Sequence, residues 1–251
     1  MINIQNIKVL EDNLVWIISK NNECIIIDPG QATPIIKKLE KNNLTPKLIF
    51  ITHLHKDHIN GIYNLLKNYP KIKIFTPKKI KFIKKSKQII IKKNSEIIIF
   101  NKLFKIFKTP GHTNIDISYY FYPYLFCGDT LFSAGCGKTY DGCPKKLYFS
   151  LKKIIKLNKN TIFFNSHEYT LSNLKFANFI NPKDFLIKEY YNYVKKNFRN
   201  LKQYSNLNFE KKINIFFKIK EKNVQNIINY WYKSKNTIDY FCNLRKIKNK
   251  F

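Results

Sequence analysis

The chain has 251 residues, with 44% hydrophobic and 16% aromatic side chains and a formal charge of +30 from 46 Lys and Arg against 16 Asp and Glu. That apolar share is enough to bury the core of one large domain or two smaller ones, which excludes a disordered chain despite the charge. No uninterrupted apolar run approaches the roughly 18 residues of a membrane-spanning helix, so no membrane partner is expected.

The N-terminus, Met1-Ile2-Asn3-Ile4-Gln5-Asn6-Ile7-Lys8, lacks a basic stretch followed by a long apolar one, which predicts a cytoplasmic protein. Beyond it, short apolar runs alternate with turn signals. Strands are predicted at residues 15–19, 24–28, 48–52, 73–75, 88–91, 96–100, 104–109, 117–122 and 124–127. Helices are predicted between them, at residues 32–42 after the Asp28-Pro29-Gly30 turn, at 60–68 and at 147–157 after Pro144. Such alternation predicts an α/β layered domain. From about Thr170 the texture becomes helical, with apolar residues at helix period over 171–180, 184–200, 224–232 and 238–246. The predicted organisation is therefore an α/β domain over residues 1–169 and a helical domain over 170–251, with the boundary near Tyr169.

Two compositional features could mislead. A charge of +30 ordinarily points to nucleic acid, but only Arg199 and Arg245 among the basic residues are Arg, and nucleic-acid surfaces favour Arg for bidentate and stacked contacts. Lys, Ile, Asn, Phe and Tyr all have A/T-rich codons, so the excess reads as compositional drift and no nucleic-acid partner is expected. The five cysteines, Cys24, Cys127, Cys136, Cys143 and Cys242, form no C-x-x-C pair and read as reduced thiols, with Cys24 and Cys127 as small buried hydrophobes.

The chemistry gathers on the histidines. Three of the five fall in Thr52-His53-Leu54-His55-Lys56-Asp57-His58, directly after an apolar run. A strand end feeding a polar loop is where an α/β protein builds a site. His112, in Thr109-Pro110-Gly111-His112-Thr113, and His167, in Asn165-Ser166-His167-Glu168, follow apolar runs as well, and Asp129 follows another in Cys127-Gly128-Asp129-Thr130, where Gly128 permits a sharp turn. Five His and two Asp at strand ends suffice for two metals with a shared carboxylate. Donors of this kind accept zinc, iron or manganese.

The T-H-x-H-x-D-H cluster with the later His, Asp and His resembles the metallo-β-lactamase superfamily. Further segments resemble its hydroxyacylglutathione hydrolase (glyoxalase II) family: Gly135-Cys136-Gly137-Lys138, His167-Glu168-Tyr169-Thr170 with Asn173-Leu174-Lys175-Phe176-Ala177, and Leu244-Arg245-x-x-Lys248-x-x-Phe251. The resemblance implies an αββα sandwich followed by a small helical domain that binds glutathione. It implies two divalent metal ions per chain, zinc foremost, with His53, His55 and His112 on the first, Asp57, His58 and His167 on the second, and Asp129 bridging. Asp57 and Asp129 would be the catalytic residues, beside a metal-bridging hydroxide as nucleophile. Lys138, Tyr140, Tyr169, Arg245 and Lys248 would contact glutathione. The implied activity is hydrolysis of S-(2-hydroxyacyl)glutathione, chiefly S-D-lactoylglutathione, to glutathione and D-lactate, by a monomer with a small-molecule substrate.

Two departures from the family pattern stand out. Asn114-Ile115-Asp116-Ile117 replaces a common Gly-His continuation, and Lys218 stands where an Arg is common, which predicts a looser contact in the helical part. Other chemistries of the scaffold remain open at this level: a one-iron persulfide dioxygenase, a metal-dependent nuclease, or a binding protein whose metal is closed off by protein, for which Cys136 is the nearby soft donor.

Overall fold

A computed structural model describes all 251 residues, Met1–Phe251. The chain opens with a meander of β1 (Asn3–Val9), β2 (Asn13–Lys20) and β3 (Glu23–Ile27), paired antiparallel. From β3 onward the strands run parallel. Helix α1 (Ala32–Lys41) leads to β4 (Thr45–Phe50), and α2 (Lys56–Ile59) with α3 (Ile62–Asn68) leads to β5 (Lys73–Thr76), beside which β6 (Gln88–Ile90) completes a six-stranded sheet in sequence order. Parallel neighbours require crossovers, and the helices supply them between β3, β4 and β5.

The apolar runs are continuous because this sheet is covered on both faces. On one face Val15, Ile17, Ile26, Ile49 and Ile74 share a buried cluster with Ile35 and Leu39 of α1 and Ile62 and Leu65 of α3. Alternate residues turn the other way, toward a second sheet that includes β7 (Ser95–Ile99), β8 (Lys102–Lys108) and β9 (Ile117–Phe121). Phe50 of β4 stacks on Tyr119 of β9, ring centroids 4.2 Å apart and planes 8° apart, and meets Phe104 of β8 edge-on at 5.8 Å. This aromatic layer is the core between the sheets. The buried Tyr119 hydroxyl donates to the carbonyls of Ile51 (2.9 Å) and Phe75 (3.2 Å), a polar tie from one sheet to the other. Burial pushes the Tyr119 pKa well above the phenol range, so the hydroxyl stays a donor.

The second sheet runs in the order β14-β13-β10-β9-β8-β7, with β10 at Tyr124–Phe126, β13 at Ile162–Phe164 and β14 at Tyr204–Asn206. A two-residue ribbon, β11 (Leu131–Phe132) with β12 (Gly135–Cys136), follows β10. The remaining helices are α4 (Pro144–Ile154), α5 (Thr170–Ile180), α6 (Phe185–Asn197), α7 (Leu207–Ile213), α8 (Lys222–Trp231) and α9 (Thr237–Lys250). Contacts group the chain into two compact units, one of Met1–Lys108, Ile115–Phe121 and Phe126–Gly128, the other of Thr109–Asn114, Tyr122–Leu125 and Asp129–Phe251. No helix is long and apolar enough to cross a membrane.

All nine predicted strands are present within a few residues, and so are the seven predicted helices. The helix predicted at 60–68 is α3, and the one-turn α2 ahead of it, inside the histidine motif, is an element the sequence reading lacks. Strand β1 escaped the sequence reading because its alternation is of Asn and Ile with partly exposed positions on both faces. Lys218, the departure from the family's Arg, is mostly buried and reaches Asp184 Oδ2 at 2.9 Å and Glu221 Oε1 at 2.7 Å. Burial works against its charge, and the bonds to Glu221 and Asp184 outweigh burial and raise its pKa. The shorter cation thus still joins α6's N-cap residue to the segment ahead of α8.

Tyr119→Phe removes the inter-sheet tie and strands a buried carbonyl. It should cost about 1–2 kcal/mol, measured as a lower urea midpoint with an unchanged m-value. An unchanged midpoint would assign the tie no net stability.

Candidate metal centre

Parallel neighbours β3 and β4 bring their C-terminal ends to one edge. Asp28, directly after β3, extends the ladder by donating its N–H to the Phe50 carbonyl (2.9 Å), then turns in the left-handed region at φ 52°, a conformation Asp tolerates better than most residues. Its carboxylate faces the residues beyond β4. Oδ1 accepts the Thr52 N–H (2.8 Å), while Oδ2 accepts the Thr52 hydroxyl (2.7 Å) and lies 3.1 Å from His58 Nδ1. Gly30 completes the Asp28-Pro29-Gly30 turn because a Cβ there would stand 1.9 Å from the Asp57 carbonyl oxygen.

This arrangement orders the imidazoles. Since the Thr52 hydroxyl gives its proton to Asp28, it accepts at the 3.0 Å contact with His53 Nδ1. Nδ1 of His53 is then the protonated nitrogen and Nε2 is the bare one, and Nε2 faces His55 Nδ1 at 3.1 Å. Two nitrogens each about 2.0–2.1 Å from one tetrahedral ion stand roughly 3.3 Å apart, so this spacing suits a shared ion. On α2, Asp57 Oδ2 lies 3.4 Å from His58 Nε2 and accepts from Asn13 Nδ2 (2.9 Å).

The second unit carries the other three predicted ligands. His112 Nδ1 donates to the Lys138 carbonyl (2.6 Å), which directs Nε2 to Asp129 Oδ2 at 3.4 Å. The other Asp129 oxygen, Oδ1, lies 3.4 Å from His167 Nε2 and accepts the Ser166 hydroxyl (2.6 Å). Asp129 thus turns a separate oxygen to each of two imidazoles. His167 is steadied by Tyr169, whose ring stacks on it with centroids 4.8 Å apart and planes 5° apart. All seven predicted ligands stand among the His and Asp residues that could hold a metal ion.

Imidazole and carboxylate donors of this kind fit borderline divalent ions. Burial pushes the Cys136 thiol up to about 11, against the pull of Arg245, and this thiol belongs to none of the donor groups that could hold a metal ion.

The five predicted glutathione contacts all lie in the second unit. Lys138 and Tyr140 are exposed, the Lys138 ammonium 5.3 Å from the Tyr140 ring and that ring edge-on to His112 at 5.4 Å. Arg245 is buried: Nη1 donates to the carbonyls of Cys136 (2.8 Å) and Gly137 (3.4 Å), Nε donates to Asn249 Oδ1 (3.1 Å), and the guanidinium lies 5.3 Å from the Phe216 ring. Lys248 Nζ donates to the Ser172 carbonyl (3.1 Å) near the rings of Phe176 and Phe251. Burial, joined by the repulsion of Arg245, lowers the Lys248 pKa to about 7.

Sequence reasoning missed the oxygen partners of the imidazoles. Asp28 stood only as part of a turn motif, and Thr52, Asn13 and Ser166 were given no role. The signal for Asp28 was its position after a strand parallel to the one that feeds the histidines.

Comparison with known proteins gives consistent results. The model of the Metallo-beta-lactamase superfamily matches residues 10–167, and that of the Hydroxyacylglutathione hydrolase C-terminus matches 168–251. A hydroxyacylglutathione hydrolase of Buchnera aphidicola subsp. Baizongia pistaciae is 45% identical over 244 residues, 97% of each chain. One of Citrobacter koseri is 38% identical over 253 residues, covering 99% of this chain and 100% of its own. Among solved structures, ETHE1 from Myxococcus xanthus superimposes with a TM-score of 0.65 at 19% identity, covering 96% of both chains. That likeness bears on the fold, an αββα sandwich followed by a helical C-terminal region, as the sequence predicts.

Asp28→Asn should weaken metal affinity by about 10–100-fold, read by competition with a chromophoric chelator, with circular dichroism unchanged. Unaltered affinity would remove Asp28 from the support of the site. A second expectation concerns Lys248. The folded chain releases this proton near pH 7, whereas the unfolded chain holds it to about 10.4. The unfolded state therefore binds more protons between those values, and stability rises with pH there. Lys248→Met should flatten the rise in urea midpoint between about pH 7 and 9; a variant with the wild-type slope would contradict the assignment.

Proposed function

Because the chain belongs to the hydroxyacylglutathione hydrolase family of the metallo-β-lactamase superfamily, we propose that it hydrolyses S-(2-hydroxyacyl)glutathione thioesters, chiefly S-D-lactoylglutathione, to glutathione and D-lactate. The observation that carries this reading is the joint presence of the His/Asp metal ligand set and the helical C-terminal segment matched over 168–251. Two divalent ions per chain are proposed, His53, His55 and His112 holding one, Asp57, His58 and His167 the other, with Asp129 between them. Zinc is the proposed occupant, on a donor set of imidazoles and carboxylates. When bound, the two ions supply the Lewis acidity that makes water a competent nucleophile at neutral pH and polarises the thioester carbonyl.

The chain's own residues prepare that chemistry by removing freedom. Thr52 fixes the His53 tautomer, the Lys138 carbonyl fixes that of His112, and Asn13 holds the Asp57 carboxylate at 2.9 Å. Ser166 donates to Asp129 Oδ1, so this oxygen keeps its direction without a mobile partner. Glutathione would lie along Lys138, Tyr140, Tyr169, Arg245 and Lys248. Lys138 brings positive charge to an anionic substrate, and a substrate carboxylate beside Lys248 would favour its charged form. Arg245 spends Nη1 and Nε on the protein, so part of its contribution is to hold the Cys136–Gly137 backbone from which Lys138 projects. Water adds to the acyl carbon, the C–S bond breaks, and glutathione leaves as its thiolate. Binding energy from the remote tripeptide positions the carbonyl. The five cysteines stand as free thiols, which suits a reducing compartment, and we place the activity in the cytoplasm.

The test is steady-state hydrolysis of S-D-lactoylglutathione with bound metals counted on the same sample. Turnover with close to two ions per chain is expected; no turnover with two ions bound would overturn the substrate assignment. Asp129→Ala should lower kcat by orders of magnitude and reduce bound metal below two per chain. Full activity in that variant would overturn the ligand assignment.

A further inference from the structure

The ribbon of β11 and β12 turns through Ser133 and Ala134, and Ala134 sits in the left-handed region at φ 58° without being Gly. Such a turn costs conformational energy and must be held from outside. Glu210 of α7 holds it. This carboxylate is wholly buried, and burial pushes its pKa up, while four donated hydrogen bonds pull it back. Oε1 accepts from the hydroxyls of Ser133 (2.9 Å) and Ser205 (2.7 Å), and Oε2 accepts from the Ala134 N–H (2.8 Å) and from Asn214 Nδ2 (3.1 Å). Asn214 Nδ2 also donates to the carbonyls flanking the turn, those of Phe132 (3.2 Å) and Gly135 (3.0 Å).

Both arms of the ribbon lead to the candidate centre. The arm before the turn begins two residues after Asp129. The arm after it runs through Cys136 and Gly137, whose carbonyls hold Arg245, to Lys138, whose carbonyl orients His112. The turn is itself buried, with Ser133 3% and Ala134 1% exposed, so its Ala134 N–H needs an acceptor, and the carboxylate supplies it. A turn fixed in this way sets where Lys138 and the Arg245 carbonyl partners stand.

We propose that Glu210, assisted by Asn214, is a positioning residue for substrate capture: it sets the ribbon that presents Lys138 and seats Arg245, without itself touching substrate. This rests on the reading of the chain as a glutathione thioesterase. Replacement by Met keeps the volume and removes all four acceptor contacts. Gln can keep the contacts with Ala134 and Asn214 through its oxygen and can reverse the other two, its amide donating to the serine hydroxyl oxygens.

The experiment compares wild type, Glu210→Met, Glu210→Gln and Asn214→Ala on S-D-lactoylglutathione, with amide hydrogen exchange of residues 131–138 recorded on each protein without substrate. Glu210→Met should raise KM about tenfold with kcat within about threefold, and it should expose the ribbon amides to exchange. Glu210→Gln should restore both. Asn214→Ala, which leaves Glu210 in place, should shift both in the same direction by less, and it carries the test if the Met variant does not fold. Ribbon protection and KM that stay at wild-type values in the folded variants would overturn the proposal. So would a fall in stability with KM unmoved. A wild type that leaves the thioester intact would instead count against the thioesterase reading, and the exchange data would still decide whether Glu210 holds the ribbon.

Discussion

An imidazole that is to hold a metal must present a bare nitrogen in a fixed direction, and the architecture is organised around that requirement. The solution is to engage the opposite ring nitrogen with oxygen. Thr52 Oγ1 takes His53 Nδ1, the Lys138 carbonyl takes His112 Nδ1, and the Asp28 carboxylate faces His58 Nδ1 at 3.1 Å. Such partners fix tautomer and ring orientation together and raise the basicity of the ligating nitrogen. The parallel pairing of β3 and β4 follows from the same need, because it delivers Asp28 beside Thr52 and His58 although 24 residues separate Asp28 from Thr52. The left-handed turn at Asp28 is the local cost of aiming one carboxylate at both.

The charge of +30 is distributed in two physically different ways. Many lysines are solvated and screened within about 10 Å at ordinary ionic strength. Arg245 and Lys248 are another case: they approach each other inside the second unit, and burial lowers the pKa of both. Their partners are backbone carbonyls, an amide oxygen and the rings of Phe216, Phe176 and Phe251. Dipoles and ring faces steady a cation without neutralising it. The pair therefore retains an unmet demand for negative charge, which an anionic tripeptide would satisfy, and that is a stronger argument for function than the net charge of the chain.

The layered fold was legible because strands covered on both faces announce themselves as apolar runs, and the candidate metal site because histidine is scarce and clustered. What stayed hidden depends on contacts between distant segments. Asn13 and Ser166 are ordinary polar residues in sequence, and only the placement of β2 and β13 brings them to Asp57 and Asp129. Helix α7 was missed because Leu207-Asn208-Phe209-Glu210-Lys211-Lys212-Ile213 is short and half charged. Its Glu210 lies inside, where four donors make its burial tolerable. A local pattern reports which face an element buries and says little about which carboxylate will be taken inside.

The helical C-terminal segment deserves the same physical treatment, since its boundary in sequence and its place in packing differ. The family models meet between residues 167 and 168, yet contacts gather Asp129–Phe251 into one compact unit. The polar side chains explain this. Asn173 of α5, Glu210 of α7, Asn214 just beyond it and Arg245 of α9 all bond to the ribbon between Phe132 and Gly137. Each buries a polar group that costs free energy unless paired, and each finds its pair on the same short stretch. The helices are thus bonded to the segment that follows Asp129 rather than appended behind it, and Arg245, proposed to help capture glutathione, is held by the same bonds that fold the C-terminal part.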